Sequence, residues 1–369
     1  MDFDFTPEQV DATELAATIF TDACTPERLK AIDGETGRFD RELWSTLGKA
    51  GLLGLAVPEA YDGGGLGLLE LCSVLVEAGR VVAPVPLVVH APTAMAIAEF
   101  GTDAQKSDWL THAATGEVVL STAISEERNA LPDRPTTRAE LAGDSWTLTG
   151  TKVAVPAGTV ADLFVVPADT ADGVKVFLVR PSEEGVTVSA QRISDGDEVA
   201  RLELDGVVVS ADQELGTGRE VVEWLQQRLV VALCAQQVGT LDGALKLTSA
   251  YARTREQFGR PIGTFQAVSQ RLADGYIDVL GTQLALWQAA WRLDEGLPAG
   301  VEVASAKVWA ADAGHKLAHT TVHVHGGNGI DLDGEAHRYF TAAKRNEFTY
   351  GGVTEHSLRI GRALAAEPA

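Results

Sequence analysis

Several groups of residues have types and spacings that could carry chemistry. Gly326-Gly327-Asn328-Gly329 frees the backbone of Cβ atoms at three of its four positions, although such a run by itself reads as a turn. Arg255 carries a permanent charge, and a single arginine is ordinarily a solvated surface group. His315, His319 and His323 recur every four residues and therefore share one helix face. Three imidazoles could hold a metal, but no carboxylate or cysteine stands at a supporting spacing, so they are read as a polar or interface stripe with no metal. Trp287 and Trp291, also four apart, read as core or subunit contact. Neither Gly-x-Ser-x-Gly nor His-Glu-x-x-His occurs. Cys24, Cys72 and Cys234 are odd in number and far apart, which suits a reduced compartment.

The elements that must position these residues change period along the chain. The 369 residues predict two or three domains, and three blocks emerge: 1–117 helical, 118–218 β, and 219–369 helical. Thr6 with Pro7 and Gln9, and Thr102 with Gln105, are capping boxes that start helices. Leu69 to Val82 is apolar at helical spacing, and Pro58 to Gly65 is a loop rich in turn residues. Trp146 to Val155 alternates as a half-buried strand does. Leu163–Val166, Val174–Val179, Val186–Ser189 and Ala200–Val209 follow closely enough to predict an antiparallel sheet or small barrel. Helices are then predicted over Glu220–Arg253, Phe265–Leu293, Val301–His323 and Thr354–Ala365.

The formal net charge of −22 argues against nucleic acid and against an anionic membrane surface as partners. No apolar run approaches the roughly 20 residues that span a bilayer. Met1-Asp2-Phe3-Asp4-Phe5 lacks the features of a signal peptide, so a cytoplasmic location is expected.

Four local segments, in order, resemble the acyl-CoA dehydrogenase family. Pro58 to Gly67 is similar to its proline-glutamate-tyrosine-glycine loop, and Phe100 to Leu110 to the segment closing its N-terminal domain. Arg255-Glu256-Gln257-Phe258-Gly259-Arg260-Pro261-Ile262 with Phe265-Gln266 is similar to its C-terminal flavin motif, and His325-Gly326-Gly327-Asn328-Gly329 to its glycine loop. The resemblance covers nearly the whole chain. It implies a mainly α fold with a middle β-barrel-like domain and a C-terminal four-helix bundle. It also implies α,β-desaturation of an acyl-CoA thioester: a carboxylate removes the α proton, and FAD takes the β hydride.

In this family the FAD lies in one subunit's middle domain and its ADP portion is clasped by a neighbour. The resemblance assigns that clasp here to Arg255 at the pyrophosphate, Phe258 beside the adenosine half, Gln266 as an amide donor and His323 in place of the usual glutamine. Gly326, Gly327 and Gly329 would let the backbone approach phosphate and ribose.

The other half of the expected site departs from the family. The threonine-glutamate-proline-glycine stretch that holds the flavin ring corresponds to Ser125-Glu126-Glu127-Arg128-Asn129-Ala130-Leu131-Pro132. The aromatic that covers the ring is missing from Val153-Ala154-Val155-Pro156-Ala157-Gly158. The two usual base positions are Gly351 and Gln227, neither able to abstract a proton. Glu223 and Glu355, one turn away from them, read as solvated helix charges. The pattern is similar to that of the non-catalytic subunit of actinobacterial heteromeric α2β2 dehydrogenases of steroid degradation. It implies a homologous catalytic partner, a sterol side-chain CoA thioester as substrate, a function in lipid metabolism and β-oxidation, and an electron-transfer flavoprotein as acceptor. The alternatives are a self-sufficient homotetramer with a displaced base such as Glu223, or a catalytically inert structural or regulatory paralogue.

Overall fold

The computed structural model describes residues 6–129, 132–216 and 218–366. Met1–Phe5, together with Ala130 and Leu131 of the 125–132 stretch, lie outside the described residues.

Six helices come first: α1 (Pro7–Ala23), α2 (Pro26–Ile32), α3 (Arg41–Lys49), α4 (Leu68–Arg80), α5 (Leu87–Phe100) and α6 (Asp103–Thr115). Both capping boxes form. Thr6 Oγ1 accepts from Gln9 N while Gln9 Oε1 accepts from Thr6 N, and Thr102 with Gln105 repeats the exchange. Each such cap stabilises its helix by about 1 kcal/mol.

Seven strands follow: β1 (Leu120–Thr122), β2 (Arg138–Ala142), β3 (Ser145–Pro156), β4 (Leu163–Thr170), β5 (Gly173–Val179), β6 (Val186–Arg192) and β7 (Glu198–Ser210). They form one sheet in the order β1-β4-β2-β3-β7-β6, with β5 paired to β4. The sheet is mixed rather than purely antiparallel, because β4 runs parallel to both β1 and β2. The expected strands are all present. β1 and β2 escaped the sequence pattern for different reasons: β1 has only three residues, and β2 buries Ala139 alone, so neither shows apolar alternation.

Next comes α7 (Gly218–Thr254), a short hairpin of β8 (Glu256–Gln257) and β9 (Arg260–Pro261), then α8 (Gln266–Asp294), α9 (Gly300–His325), α10 (Ala336–Phe348) and α11 (Val353–Ala366). α10 was not legible because its buried face is Ala336, Arg338, Ala342, Ala343 and Asn346, which carries no large apolar stripe.

The described residues divide into two compact units, drawn from Met1–Ala31, Leu68–Ala83 and Val230–Ala369, and from Ile32–Gly67 and Pro84–Leu229. In the second, Trp146, Leu148, Phe164, Phe177, Leu202 and Val207 are among the residues that fill the inner face of the sheet. His90 on α5 ties that layer together: Leu120 N donates to Nδ1 at 3.1 Å, so Nε2 bears the proton it gives Ala113 O at 3.1 Å. Burial, opposed by that carbonyl, lowers the imidazole to about 4, and the ring remains neutral near pH 7.

In the first unit, α7, α8 and α9 share a core of Leu241, Leu245, Val279, Ala313 and Leu317. Gln237 reaches Ala310 O at 3.3 Å and Thr248 reaches Thr321 at 3.3 Å, so α7 and α9 run in the same direction. Gly275 packs on Leu317 and Gly281 on Trp309, so α8 runs against α9. The end of α7, the start of α8 and the end of α9 therefore lie at one end of the bundle. No described helix is long and apolar enough to cross a membrane.

Candidate functional site

Arg255, Phe258, Gln266, His323, Gly326 and Gly327 all lie at that end of the bundle and all are exposed; Gly329 is buried. Arg255 directly follows α7, its N–H donating to Tyr251 O at 2.8 Å and its carbonyl accepting from Ile262 N at 2.8 Å. No carboxylate among the described residues pairs with its guanidinium. An uncompensated arginine in a chain of net charge −22 is available to an external anion.

Phe258 and Gly259 form the tip of the β8–β9 hairpin with φ of +56° and +76°, the double left-handed geometry of a type I′ turn. Glycine tolerates this; a bulky residue is strained by it, at a cost of order 1–3 kcal/mol. The Phe258 side chain is moreover 92% exposed. Its ring meets that of Phe265 edge-to-face, centroids 6.1 Å apart, while Arg260 lies over the Phe265 ring at 4.3 Å. An aromatic held out on a strained tip is what an insertion into another surface requires.

The Gly326–Gly329 turn follows α9. Gly326 has φ +62° and ψ −136°, which a Cβ would strain. A Cβ at Gly326 or Gly327 would touch nothing within 4 Å, whereas at Gly329 it would lie 2.7 Å from Val322 O. One side of the turn is thus open and the other seated on α9. Guanidinium, presented aromatic and open backbone edge together make a donor set for a ligand with a diphosphate and a flat ring system.

Tyr251, which the sequence reading passed over, and His325, which it gave only as the first residue of the glycine loop, adjoin these groups. Tyr251 stacks on His325 with centroids 4.3 Å apart at 24°. A signal existed: Tyr251 stands one turn before Arg255, and His325 immediately before Gly326. In the histidine stripe the His315 and His319 rings touch, centroids 4.7 Å apart; His315 also meets Glu347 and Lys344, His319 faces the Phe340 ring edge-on, and His323 is exposed.

Gly351 has φ +98°, and a Cβ there would lie 3.1 Å from His356 Nε2, whose ring is fully buried and bonded to Tyr350 O at 3.0 Å. Gln227 is partly buried on α7 and Glu223 is exposed. Glu355 is not merely solvated: its Oε2 accepts from Gly352 N at 3.0 Å and caps the start of α11.

In the other unit, Glu126 of the 125–132 stretch belongs to a buried ion pair. Glu126 accepts from Lys152 Nζ at 2.7 Å, from Thr137 N and Oγ1 at 2.9 and 2.7 Å, and from Thr136 N and Oγ1 at 2.5 and 2.7 Å. Lys152 also donates to Pro167 O at 2.8 Å. Burial alone would raise the Glu126 carboxyl, but the Lys152 ammonium and the threonine N–H groups outweigh it and hold the acid well below the usual carboxylate range. Nearby, Ala154 is exposed with φ +49° and gives its N–H to Gln191 Oε1 at 2.9 Å. A methyl group there provides no cover for a ring.

Comparison with known proteins adds the following. Residues 6–117 match the model of the acyl-CoA dehydrogenase N-terminal domain and residues 216–364 that of the acyl-CoA dehydrogenase C-terminal domain. The chain is 46% identical to acyl-CoA dehydrogenase FadE27 of Mycobacterium tuberculosis over the full length of both. It superposes on a chain of the ChsE4-ChsE5 complex from Mycobacterium tuberculosis with TM-score 0.96 and 46% identity, all of both chains covered. It matches the Tcur3481-Tcur3483 steroid ACAD, in a G363A variant, with TM-score 0.93 and 40% identity over 97% of this chain and 98% of that one.

Proposed function

Because this chain belongs to the acyl-CoA dehydrogenase family, whose members bind FAD, we propose that it is the clasping subunit of a heteromeric enzyme, holding the ADP half of its partner's FAD and supplying no catalytic base. The observation that carries this reading is Phe258, 92% exposed on a strained turn beside an unpaired Arg255. Neither feature stabilises the isolated chain; both are accounted for if a neighbour's cofactor lies against them.

When bound, FAD supplies the two-electron acceptor for the β hydride of an acyl-CoA. This chain's residues act on binding and orientation. Arg255 meets diphosphate oxygens through its fork of N–H donors, and Gly326 and Gly327 bring backbone within reach of the same groups. Phe258 covers the adenosine half, while Gln266 and His323 present polar groups at the helix ends. With Gly351 and Gln227 at the usual base positions, no side chain there removes the α proton, which falls to the partner. In the unit carrying 125–156, Glu126 is committed to Lys152 and Ala154 leaves a ring uncovered, which supports a flavin ring bedded in the partner.

The partner is a homologous, base-containing subunit in an α2β2 assembly, and the substrate a CoA thioester with a sterol-derived acyl group. Similarity to a heteromeric complex and to a steroid dehydrogenase supports both. Tyr276, Ile277, Leu280 and Leu284 are exposed along α8, an apolar stripe suited to burial against another subunit.

Expression of the chain alone, and with a base-containing homologue encoded beside it, tests the reading. The expected products are a colourless chain and a yellow heteromer with one flavin for each pair of chains. A chain that purifies yellow and dehydrogenates acyl-CoA by itself would overturn it. A base cannot be restored by simple replacement: Gly351→Glu is expected to leave the isolated chain inactive and to destabilise it by about 1–2 kcal/mol, since an L-residue must adopt positive φ against His356. Acyl-CoA turnover and a denaturant midpoint check both expectations.

A further inference from the structure

We propose that the Tyr251–His325 ring stack is a positioning device: it sets the Arg255 guanidinium at a fixed offset from the open edge of the Gly326–Gly329 turn so that both meet one diphosphate. This rests on the reading that the chain grips a dinucleotide.

The offset between two helix ends is set by what joins them. α7 and α9 run side by side in the same direction, and their facing residues form successive rungs. Thr248 Oγ1 meets Thr321 Oγ1 at 3.3 Å; one turn on, Tyr251 stacks on His325 at 4.3 Å. Beyond it α7 ends at Thr254, with Arg255 one turn past Tyr251, and α9 ends at His325 itself, with Gly326 next. The stack is therefore the last rung before the two ligand-facing groups.

Each ring is itself held. His325 is buried, and its Nδ1 lies 2.8 Å from Thr321 O. A carbonyl only accepts, so Nδ1 carries the proton and the ring plane is pinned to its own helix. The Tyr251 hydroxyl accepts from Asn328 Nδ2 at 3.5 Å, reaching into the glycine turn. Tyr251 O accepts from Arg255 N at 2.8 Å, so the backbone bearing the guanidinium follows the ring. Beyond Tyr251, Arg253, Thr254 and Arg255 are all exposed. Without the stack, Arg255 would sit on a fraying helix end, and part of its contact with phosphate would be lost to ordering it.

The full chain, in saturation-transfer NMR with ADP as the probe and FMN as the control, tests this. Wild type is expected to bind ADP and not FMN. Tyr251→Ala should weaken ADP by about tenfold, while Tyr251→Phe, which keeps the ring, should stay within about twofold of wild type. Thermal midpoints report the fold separately. If Tyr251→Ala does not fold, His325→Gln removes the other ring, keeps a donor toward Thr321 O, and carries the same expectation. Wild-type ADP binding by Tyr251→Ala alongside a loss in Arg255→Ala would overturn the positioning role and leave the grip standing. So would a Tyr251→Phe loss as large as that of Tyr251→Ala. No ADP binding by wild type, or unchanged binding by Arg255→Ala, would overturn both.

Discussion

In the assembled heteromer, Arg255→Ala is expected to raise the dissociation constant for FAD by about 30- to 100-fold. A hydrogen bond from a cation to a phosphate oxygen contributes about 2–3 kcal/mol, and every 1.4 kcal/mol is about tenfold. The guanidinium has no carboxylate partner to release it from, so its full donor capacity is available to the ligand. Arg255→Lys should recover only part of the loss, because an ammonium is a point charge and lacks the planar fork. Fluorescence of released flavin, measured on gel-filtered complex, reads both variants. Subunit assembly should be unchanged, since Arg255 lies at an exposed end of the bundle rather than along the apolar stripe of α8. Flavin content equal to wild type in Arg255→Ala would remove the clasp from this chain.

The second large effect belongs to stability. Lys152→Met is expected to cost the sheet-bearing unit about 3–5 kcal/mol, because it strands the Glu126 carboxylate among buried groups. Replacing both members, Lys152→Met with Glu126→Leu, should recover part of that loss, since the penalty comes from an unpartnered charge rather than from the absence of the pair. The two threonines that also donate to Glu126 would then lack their acceptor, so recovery should be incomplete.

The pH dependence of the wild type follows from the same pair. Glu126 is held below its unfolded-state value, so it binds a proton less readily folded than unfolded. Its contribution is full above the unfolded carboxylate range, near pH 4–5, and is lost as pH falls from there toward the depressed folded value. Urea midpoints between pH 3 and 7 should show a steeper acid-side decline for wild type than for the double variant. Parallel curves would show that the pair carries no such linkage.

Much was legible from residue order alone, because the signals are local. A 3.6-residue period marks α7, α8 and α9 wherever the apolar side chains fall on one face, alternation marks β3, and short apolar runs mark β4 and β5. Capping boxes are legible because their two partners are three residues apart. The absence of a base at Gly351 and Gln227 needs no coordinates either, since glycine and glutamine do not take up protons in any fold. β2 and α10 were missed because their buried faces are small or polar, and a period detected through large apolar side chains passes over them.

What only the tertiary structure decided involves partners distant in the chain or a particular backbone angle. Glu126 and Lys152 are 26 residues apart, and only the docking of the loop that carries Glu126 against β3, where Val153 N donates to Ser125 O, makes them one buried pair rather than two surface charges. Even there a trace existed, as Lys152 falls in step with the inward-facing Trp146 and Leu148. Tyr251 and His325 meet because two helices pack side by side, which no local period encodes. No local signal keeps Phe258 out of the bundle; its 92% exposure and positive φ are properties of the hairpin's three-dimensional path. Sequence thus determined which chemical groups this protein has and lacks, while packing determined which of them are spent on one another and which are left to face a ligand.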